Sequence, residues 1–237
     1  MLLNPTGGLV GGDSLLTHVI LETGTQVCLT TPSATRVYRT LDQPAVQETH
    51  IQIGEGASLE YVPDHVIPHR DSKFRQSLRV EMGGGSRAIF WDALAAGRVA
   101  RGERWQFHEV DSRIEITLRG KPVFLNRTWI CPAGLDPNRL GFAQDFSYMA
   151  TLLVVADTPI RWNEVCAALN TELETTPQVF AGIDAGLYAG VSALAAYGCV
   201  VKLLARSASD LMRAQAKLWG RARQAVFGSP AMDLRKY

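Results

Sequence analysis

Residues that mark several common functional classes are scarce or scattered in this sequence of 237 residues. The four cysteines, Cys28, Cys131, Cys166 and Cys199, lie far apart and form no Cys-x-x-Cys pair, which argues against a structural zinc site. There are only five histidines, so the side chains that hold transition metals most tightly are few. We therefore expect no tightly bound metal or other cofactor.

The sequence also lacks an excess of either charge and any long hydrophobic run. Its 24 Lys and Arg residues offset 23 Asp and Glu residues, and a net charge of +1 gives no general attraction to nucleic acid or to a membrane surface. No apolar run is long enough and free enough of charge to span a bilayer, and the N-terminus shows no signal peptide. We expect a cytoplasmic protein with reduced cysteines and with no nucleic acid or membrane partner.

What the sequence does contain is a repeated pattern of strand, glycine turn and strand. The turns at Gly24, Gly54–Gly56 and Gly83–Gly85 recur about every thirty residues, a period typical of stacked β units, and a fourth turn contains Gly120. The strands predicted beside these turns are Val19–Leu21, Val27–Leu29, Thr49–Ile53, Ala57–Tyr61, Leu78–Met82, Arg87–Trp91, Arg113–Leu118 and Val123–Leu125.

Two segments with helical periodicity, Ile160–Leu173 and Ser209–Phe227, interrupt this pattern, and we expect Ser209 to cap the second helix. Between them, Leu187–Val191 and Cys199–Leu204 predict two further strands. The predicted fold class is mainly β, with a stacked β-helix-like or β-solenoid-like body and two α-helices in the C-terminal third. We expect a single domain over residues 1–237.

The glycine-rich segment Gly7–Asp13 raises the question of nucleotide binding. A Walker loop ends in Gly-Lys-Ser/Thr and continues into a helix, so that backbone amides at the helix N-terminus surround the phosphates. No lysine follows these glycines, and the residues after them have the alternation of a strand. We therefore interpret the segment as a tight turn in which Asp13 accepts hydrogen bonds from nearby amides.

Candidate metal and catalytic side chains are spread along the chain. His65 and His69 would share a face only on a helix, but Pro63 and Pro68 favour an extended segment, on which the two histidines would lie about 13 Å apart. Glu103, in the segment GRVARGERW, is either a general base, a metal ligand, or the partner of a nearby arginine in a turn. The spacing alone favours the last of these.

Two basic segments suit contacts with a partner. The segment TPSATRVYRT alternates arginine and tyrosine, which fits binding of a phosphate or a protein, but also a solvated edge strand. The last predicted helix carries a row of basic residues opposite its apolar stripe, which is either a solvated face or a docking surface for an acidic partner. The candidates for partner binding are Arg36, Tyr38, Arg39, Arg213, Lys217 and Arg221.

The segments LLNPTGGLVGGDSL and LTTPSATRVYRT resemble the urease accessory protein D family (UreD, also called UreH). That family has a similar glycine turn ending in Gly-Gly-Asp, followed by Thr-Thr-Pro-x-Ala-Thr-Lys-x-Tyr-Arg. The resemblance extends in the same order over essentially the whole chain. It includes LEYVPDHVIP (Leu59–Pro68), FWDALAAGRVARGERWQF (Phe90–Phe107), RIEITLRGKPVFLNR (Arg113–Arg127) and LWGRARQAVFGSPAMDLRKY (Leu218–Tyr237).

The sequence also departs from the family pattern. Arg36 stands where lysine is common, and Asn4 stands where the family usually has histidine. The family normally carries about fifty residues before the glycine turn, which is less than one ordinary domain but includes its first strands. We expect this chain to lack those strands and to leave a neighbouring strand edge unpaired.

The resemblance implies a function in assembling the nickel centre of urease, as an accessory protein rather than an enzyme. It implies a scaffold that binds apo-urease subunits and a UreF-like accessory protein, which in turn recruits the UreG-like GTPase. GTP hydrolysis in that partner drives nickel delivery. The resemblance also implies a β-helix-like stack of strands with two helices, in agreement with the glycine-turn pattern.

Nickel delivery requires ligands that bind the ion and release it again. Carboxylate oxygens suit that task better than imidazole or thiolate, which hold Ni²⁺ more tightly. We expect only transient Ni²⁺ binding, at carboxylates that lie in family-like segments, although each also suits a salt bridge or a turn. These candidates are Asp13, Glu60, Asp92 and Glu103.

Two other classes of function stay open at this point. A β-rich hydrolase would use Asp92 and Glu103 as a pair of carboxylates, one as acid and one as base, and would need both in one pocket. A purely structural oligomeric protein would need neither a pocket nor a set of partners. The placement of the two carboxylates separates the hydrolase from the scaffold.

Overall fold

The structure is a computed structural model, and it describes residues 1–4, 7–134, 143–174, 186–230 and 232–234. The chain is mostly β, with a solenoid-like arrangement of strands and two helices in its C-terminal part, which confirms the predicted fold class. The strands are β1 (Ser14–Leu21), β2 (Gln26–Leu29), β3 (Thr35–Val37), β4 (Ala45–Ile53), β5 (Ser58–Tyr61), β6 (Val66–Pro68), β7 (Lys73–Met82), β8 (Arg87–Ala95), β9 (Glu109–Leu118), β10 (Lys121–Ile130), β11 (Tyr148–Ala156), β12 (Leu187–Ala193) and β13 (Gly198–Ala205). The helices are α1 (Trp162–Glu174) and α2 (Ala208–Phe227), and Val99–Arg101 form a 3₁₀ turn.

The strands form two sheets that face each other. The five-stranded sheet has the order β1-β4-β7-β9-β10, and the eight-stranded sheet has the order β12-β13-β11-β8-β5-β2, with β3 and β6 paired beside β8. The chain passes from the first sheet to the second at each of the first three glycine turns, so that β1, β4, β7 and β9 are parallel neighbours. The fourth turn, at Gly120, instead closes an antiparallel hairpin between β9 and β10.

Glycine is required where these turns stack on one another. Gly24, Gly56 and Gly85 have φ angles of 71°, 64° and 67°, in the left-handed region that other residues avoid. Gly54 donates its N–H to the carbonyl of Leu21 in the turn below at 2.9 Å. A Cβ atom added to Gly54 would lie 2.8 Å from that same oxygen, so the close stacking of successive turns excludes any side chain there.

Both helices cover the outer face of the eight-stranded sheet, and no helix within the described ranges is long and apolar enough to cross a membrane. Helix α2 begins one residue earlier than predicted. Its cap is Ser207, whose Oγ accepts the N–H of Asp210 at 3.1 Å, so the expectation that Ser209 caps the helix was wrong. The helix ends at Gly228 in the left-handed conformation, and its apolar stripe packs against the sheet.

The apolar core lies in three clusters. One lies between the helices and the eight-stranded sheet, and the other two lie between the sheets, at opposite ends of the strands. Strand β11 runs through the centre of the eight-stranded sheet, and of its nine residues only Met149 is less than fully buried. The sequence pattern did not predict this strand, although it carries much of the core.

Candidate functional site

A layer of polar side chains separates the two apolar clusters between the sheets. On β8, Asp92 faces the five-stranded sheet between Phe90 of one cluster and Leu94 beside the other. The position follows from strand alternation, because residues two apart point to the same face of the sheet. The same alternation brings polar side chains of the neighbouring strands into register with it. This polar layer consists of Gln76, Asp92, Ser112, Asn126, Thr151 and Lys202.

Hydrogen bonds join the two sheets across the polar layer. The side-chain amide of Gln76 donates to Asp92 Oδ1 at 3.0 Å and to the hydroxyl of Ser112 at 2.7 Å. The ammonium group of Lys202 donates to Asn126 Oδ1 at 2.8 Å and to Thr151 Oγ1 at 2.9 Å. Ser112 and Thr151 are buried, and each has a hydrogen-bond partner within the layer, as burial requires. Lys202 is an exposed residue, so the layer reaches solvent on its side.

Cavities lie on both sides of Asp92. The larger, of about 460 Å³, extends between the sheets past Lys202 to Gly190 on β12. The smaller, of about 50 Å³, extends the other way toward Tyr61. Gln76, Asp92 and Ser112 line both cavities and therefore form the boundary between them.

Burial dominates the electrostatics of the polar layer. It raises the pKa of Asp92, although the hydrogen bond from Gln76 and the charge of Lys202 act in the opposite direction. It lowers the pKa of Lys202, which the charge of Asp92 partly offsets. Tyr61, nearby, has its pKa raised to about 12, chiefly by burial. The layer thus offers carboxylate, amide and hydroxyl oxygens to a cation, with one ammonium group beside them.

The four predicted carboxylates do not come together. Asp13 accepts the N–H of Val10 at 2.9 Å, in the local turn that the sequence predicted. Glu60 points to the helix side of β5, and Glu103 is held by Arg98 through two hydrogen bonds, one of them 2.7 Å from Nε to Oε2. Only Asp92 lines the space between the sheets.

Glu60 instead belongs to a buried cluster that ties β5 to α2. The indole N–H of Trp219 donates to Glu60 Oε2 at 2.6 Å, and Arg223 Nη1 lies 3.4 Å from Glu60 Oε1. The side chains of Glu60 and Arg223 are each 10% exposed. Burial raises the pKa of Glu60, whereas the Trp219 hydrogen bond and the Arg223 charge lower it. This carboxylate is a structural contact between sheet and helix.

The arrangement does not support the paired-carboxylate hydrolase. Glu103 lines neither of the cavities that Asp92 lines, so the two groups do not face one substrate site in the described structure. His65 and His69 pack edge-on against different rings, His65 against Tyr148 and His69 against Tyr38. In the described part of the chain, no group of three or more His, Cys, Asp and Glu residues is arranged to hold a metal.

The predicted partner-binding residues lie in two places. Arg36 and Tyr38 line an open cleft beside the 3₁₀ turn, whereas Arg39 Nε lies 3.7 Å from Asp71 Oδ2. On α2, Arg213 and Arg221 are exposed as expected and Lys217 is half-buried. Arg213 donates to Asp210 at 2.5 Å, so it also supports the first turn of the helix.

Sequence reasoning missed Gln76, Ser112, Lys202 and Arg223. Gln76 and Ser112 stand at inward positions of strands with apolar residues two places before and after, and that pattern was a readable signal of a polar layer between the sheets. Lys202 has the same pattern of neighbours but is exposed. Arg223 lies in a basic run of α2, and nothing in the local sequence distinguishes it from its exposed neighbour Arg221. Its partner is 163 residues earlier in the chain.

Comparison with known proteins places this chain among urease accessory proteins. The family described as UreD urease accessory protein matches residues 1–236. The Urease accessory protein UreD of Herpetosiphon aurantiacus is 32% identical over 231 residues, which cover 96% of this chain and 79% of that protein. The proteins of the same name from Mycolicibacterium gilvum and Deinococcus radiodurans are 36% identical (93% of this chain, 77% of theirs) and 33% identical (99% and 80%). The chain therefore belongs to the UreD family of urease accessory proteins.

Proposed function

We propose that this protein is a scaffold for urease maturation, which binds apo-urease together with a UreF-like protein and its UreG-like GTPase and permits GTP-dependent insertion of nickel. The observation that carries this proposal is the polar layer at Asp92, with cavities on both sides of it. A protein that only supported an oligomer would gain stability by filling this space with apolar side chains.

The polar layer suits passage of a divalent cation rather than its storage. Asp92 supplies one carboxylate, and Ser112 and Thr151 supply hydroxyl oxygens, all of which are hard ligands that hold Ni²⁺ less tightly than imidazole or thiolate. The ammonium group of Lys202 opposes a long-lived cation beside Asp92. Ni²⁺ is the cargo in this proposal, and the energy for its delivery comes from GTP hydrolysis in the partner.

Gly190 gives a direct test, because it lines the larger cavity and a Cβ atom there would meet nothing within 4 Å. Gly190 is exposed, so Gly190→Phe should place an aromatic ring at the open end of the cavity without a backbone clash. We expect the variant to bind apo-urease and the UreF-like protein as the unsubstituted chain does. It should nevertheless fail to activate urease in a reconstituted mixture with the UreG-like protein, GTP and Ni²⁺.

The matched control is Ser192→Phe. Ser192 is exposed two residues further along β12, on the same face of the strand but outside the cavity lining. It should leave both complex formation and urease activation unchanged. Full activation by Gly190→Phe would exclude the cavity from the nickel path, and lack of any binding to apo-urease by the unsubstituted chain would overturn the scaffold itself.

A further inference from the structure

An open cleft of about 510 Å³ lies near the 3₁₀ turn, apart from the polar layer. One wall carries Arg36 of β3 and Tyr38, which follows the strand. The other carries Arg98 and Arg101, at the start and end of the 3₁₀ turn. His69, which is buried, lies in the wall of the cleft with its ring 5.0 Å from that of Tyr38 in an edge-to-face contact. The cleft thus gathers three arginines from two distant parts of the chain.

The charges of these arginines are only partly balanced. Glu103 accepts two hydrogen bonds from Arg98, and a third, of 3.4 Å, from the backbone N–H of Arg70. Arg36 and Arg101 have no acidic partner among the residues that the structure describes. Burial lowers the pKa of His69, and the charge of Arg98 lowers it further. The charge of Glu103 raises this pKa, and the charges of Arg36 and Arg101 lower it by smaller amounts. Three arginines line the cleft and one of them is paired with Glu103, so the cleft carries a net positive charge.

The backbone holds this cleft in one shape. Gly97 has a φ angle of 137°, and a Cβ atom there would lie 2.6 Å from the carbonyl oxygen of Glu103. Two side-chain hydrogen bonds between Arg98 and Glu103 join the two ends of the same turn. Arg98 is consequently fixed as part of the wall, which leaves Arg36 and Arg101 as the groups available to a ligand.

We propose that this cleft is a binding site for an oxyanion, a carboxylate or phosphate group held between Arg36 and Arg101. Guanidinium groups match the geometry of both anions through paired N–H donors. The proposal does not depend on nickel transfer through the polar layer. Three of the segments that carry the family resemblance, around Arg36, Ile67 and Arg98, converge on this cleft.

The test is a thermal shift of the full chain in sodium phosphate and in sodium acetate, each compared with sodium chloride at equal ionic strength. A ligand at ten times its Kd should raise the Tm by about 3 °C or more. The rise should disappear in Arg36→Gln/Arg101→Gln, which keeps side chains of similar size but removes both positive charges. The matched control, Arg75→Gln/Arg79→Gln, removes two exposed arginines from β7 and should retain the full rise.

A third measurement, which compares the affinity of the full chain for hexaglutamate with its affinity for acetate, distinguishes the source of the anion. If hexaglutamate binds at least tenfold more tightly than acetate, by about 1.4 kcal/mol, the natural ligand is an acidic segment of a partner protein. If hexaglutamate and acetate bind equally tightly, the natural ligand is a small free anion. The proposal is overturned if neither phosphate nor acetate raises the Tm above its value in chloride. It is also overturned if the double variant in the cleft keeps the rise, or if the control loses it.

Discussion

Replacing Arg223 by methionine tests whether an ionised Glu60 is held between β5 and α2. The change removes the positive charge that lies 3.4 Å from Glu60 Oε1 and leaves an apolar side chain of similar length against the ring of Trp219. The hydrogen bond from the Trp219 indole to Glu60 stays in place at 2.6 Å. The variant therefore isolates the charge of Arg223 from the packing of the helix.

The expected loss of stability is large because both partners are nearly enclosed, at 10% exposure each. Removing one member of a buried ion pair costs about 3–5 kcal/mol, since the other charge is left without compensation. Because the Trp219 hydrogen bond to Glu60 is retained, we expect a loss at the lower end of this range, about 3 kcal/mol of unfolding free energy at neutral pH. The exposed neighbour Arg221 provides the control, and Arg221→Met should change the free energy of unfolding by less than about 0.5 kcal/mol.

The loss should depend on pH in a defined direction. The pKa of Glu60 is already raised from 4.5 by burial, and it should rise further without Arg223, whose charge lowers it. A carboxyl whose pKa is raised in the folded state adds stability below its unfolded pKa, and this contribution is lost as the pH rises through the folded pKa. The cost of Arg223→Met should therefore shrink as the pH falls from neutral toward 4.5.

Urea unfolding at pH 7.5 and pH 5.0, followed by far-ultraviolet circular dichroism, measures this difference. The double variant Glu60→Gln/Arg223→Met should recover part of the loss at pH 7.5, because it removes the uncompensated carboxylate. An equal cost at both pH values, or a cost below about 1 kcal/mol at pH 7.5, would refute the assignment of Glu60 and Arg223 as a buried ion pair.

Three further predictions concern ligands and partners. Calorimetry with a GTP analogue should detect no binding by the isolated chain, because Gly7–Asp13 leads into a strand and lacks the lysine of a phosphate-binding loop; micromolar affinity would contradict this. Elemental analysis of protein purified without chelator should find less than one firmly held metal per chain, since histidine and cysteine are few; a stoichiometric metal would be the opposite result. Charge reversal at Lys217 and Arg221 should leave the Tm nearly unchanged but slow association with a UreF-like protein, most strongly at low salt. An unchanged association rate would mean that α2 only supports the sheet. Arg213 is not substituted in this variant, because it donates a hydrogen bond to Asp210 in the first turn of the helix.

The solenoid-like stack was predictable from the sequence because its cause is local. A turn that adopts a left-handed conformation needs glycine wherever it occurs, so the repeated turns at Gly24, Gly56 and Gly85 were visible as a period along the chain. What the period did not reveal is that these turns cross between two sheets, whereas the turn at Gly120 closes a hairpin. Both kinds of turn use the same residue, and only the pairing of the strands distinguishes them.

Strand β11 is an element that the hydrophobic pattern of the sequence did not predict. It lies in the centre of the eight-stranded sheet with helices on one face and the five-stranded sheet on the other, so it is apolar on both sides. A strand buried on both faces loses the alternation that identifies strands at a surface. Its burial, and hence its composition, depends on layers that come from elsewhere in the chain.

The sequence by itself was enough to predict the class of fold and the two helices, and to select the carboxylates in family-like segments as candidates. The tertiary structure alone decided which of them share an environment. Asp92 became part of a polar layer because β7, β9 and β13 bring Gln76, Ser112 and Lys202 beside it, whereas Glu60 was turned to the opposite face of the sheet and paired with Arg223. Local sequence sets the polarity of a side chain, but the charge or cavity that it faces is supplied by residues far away in the chain.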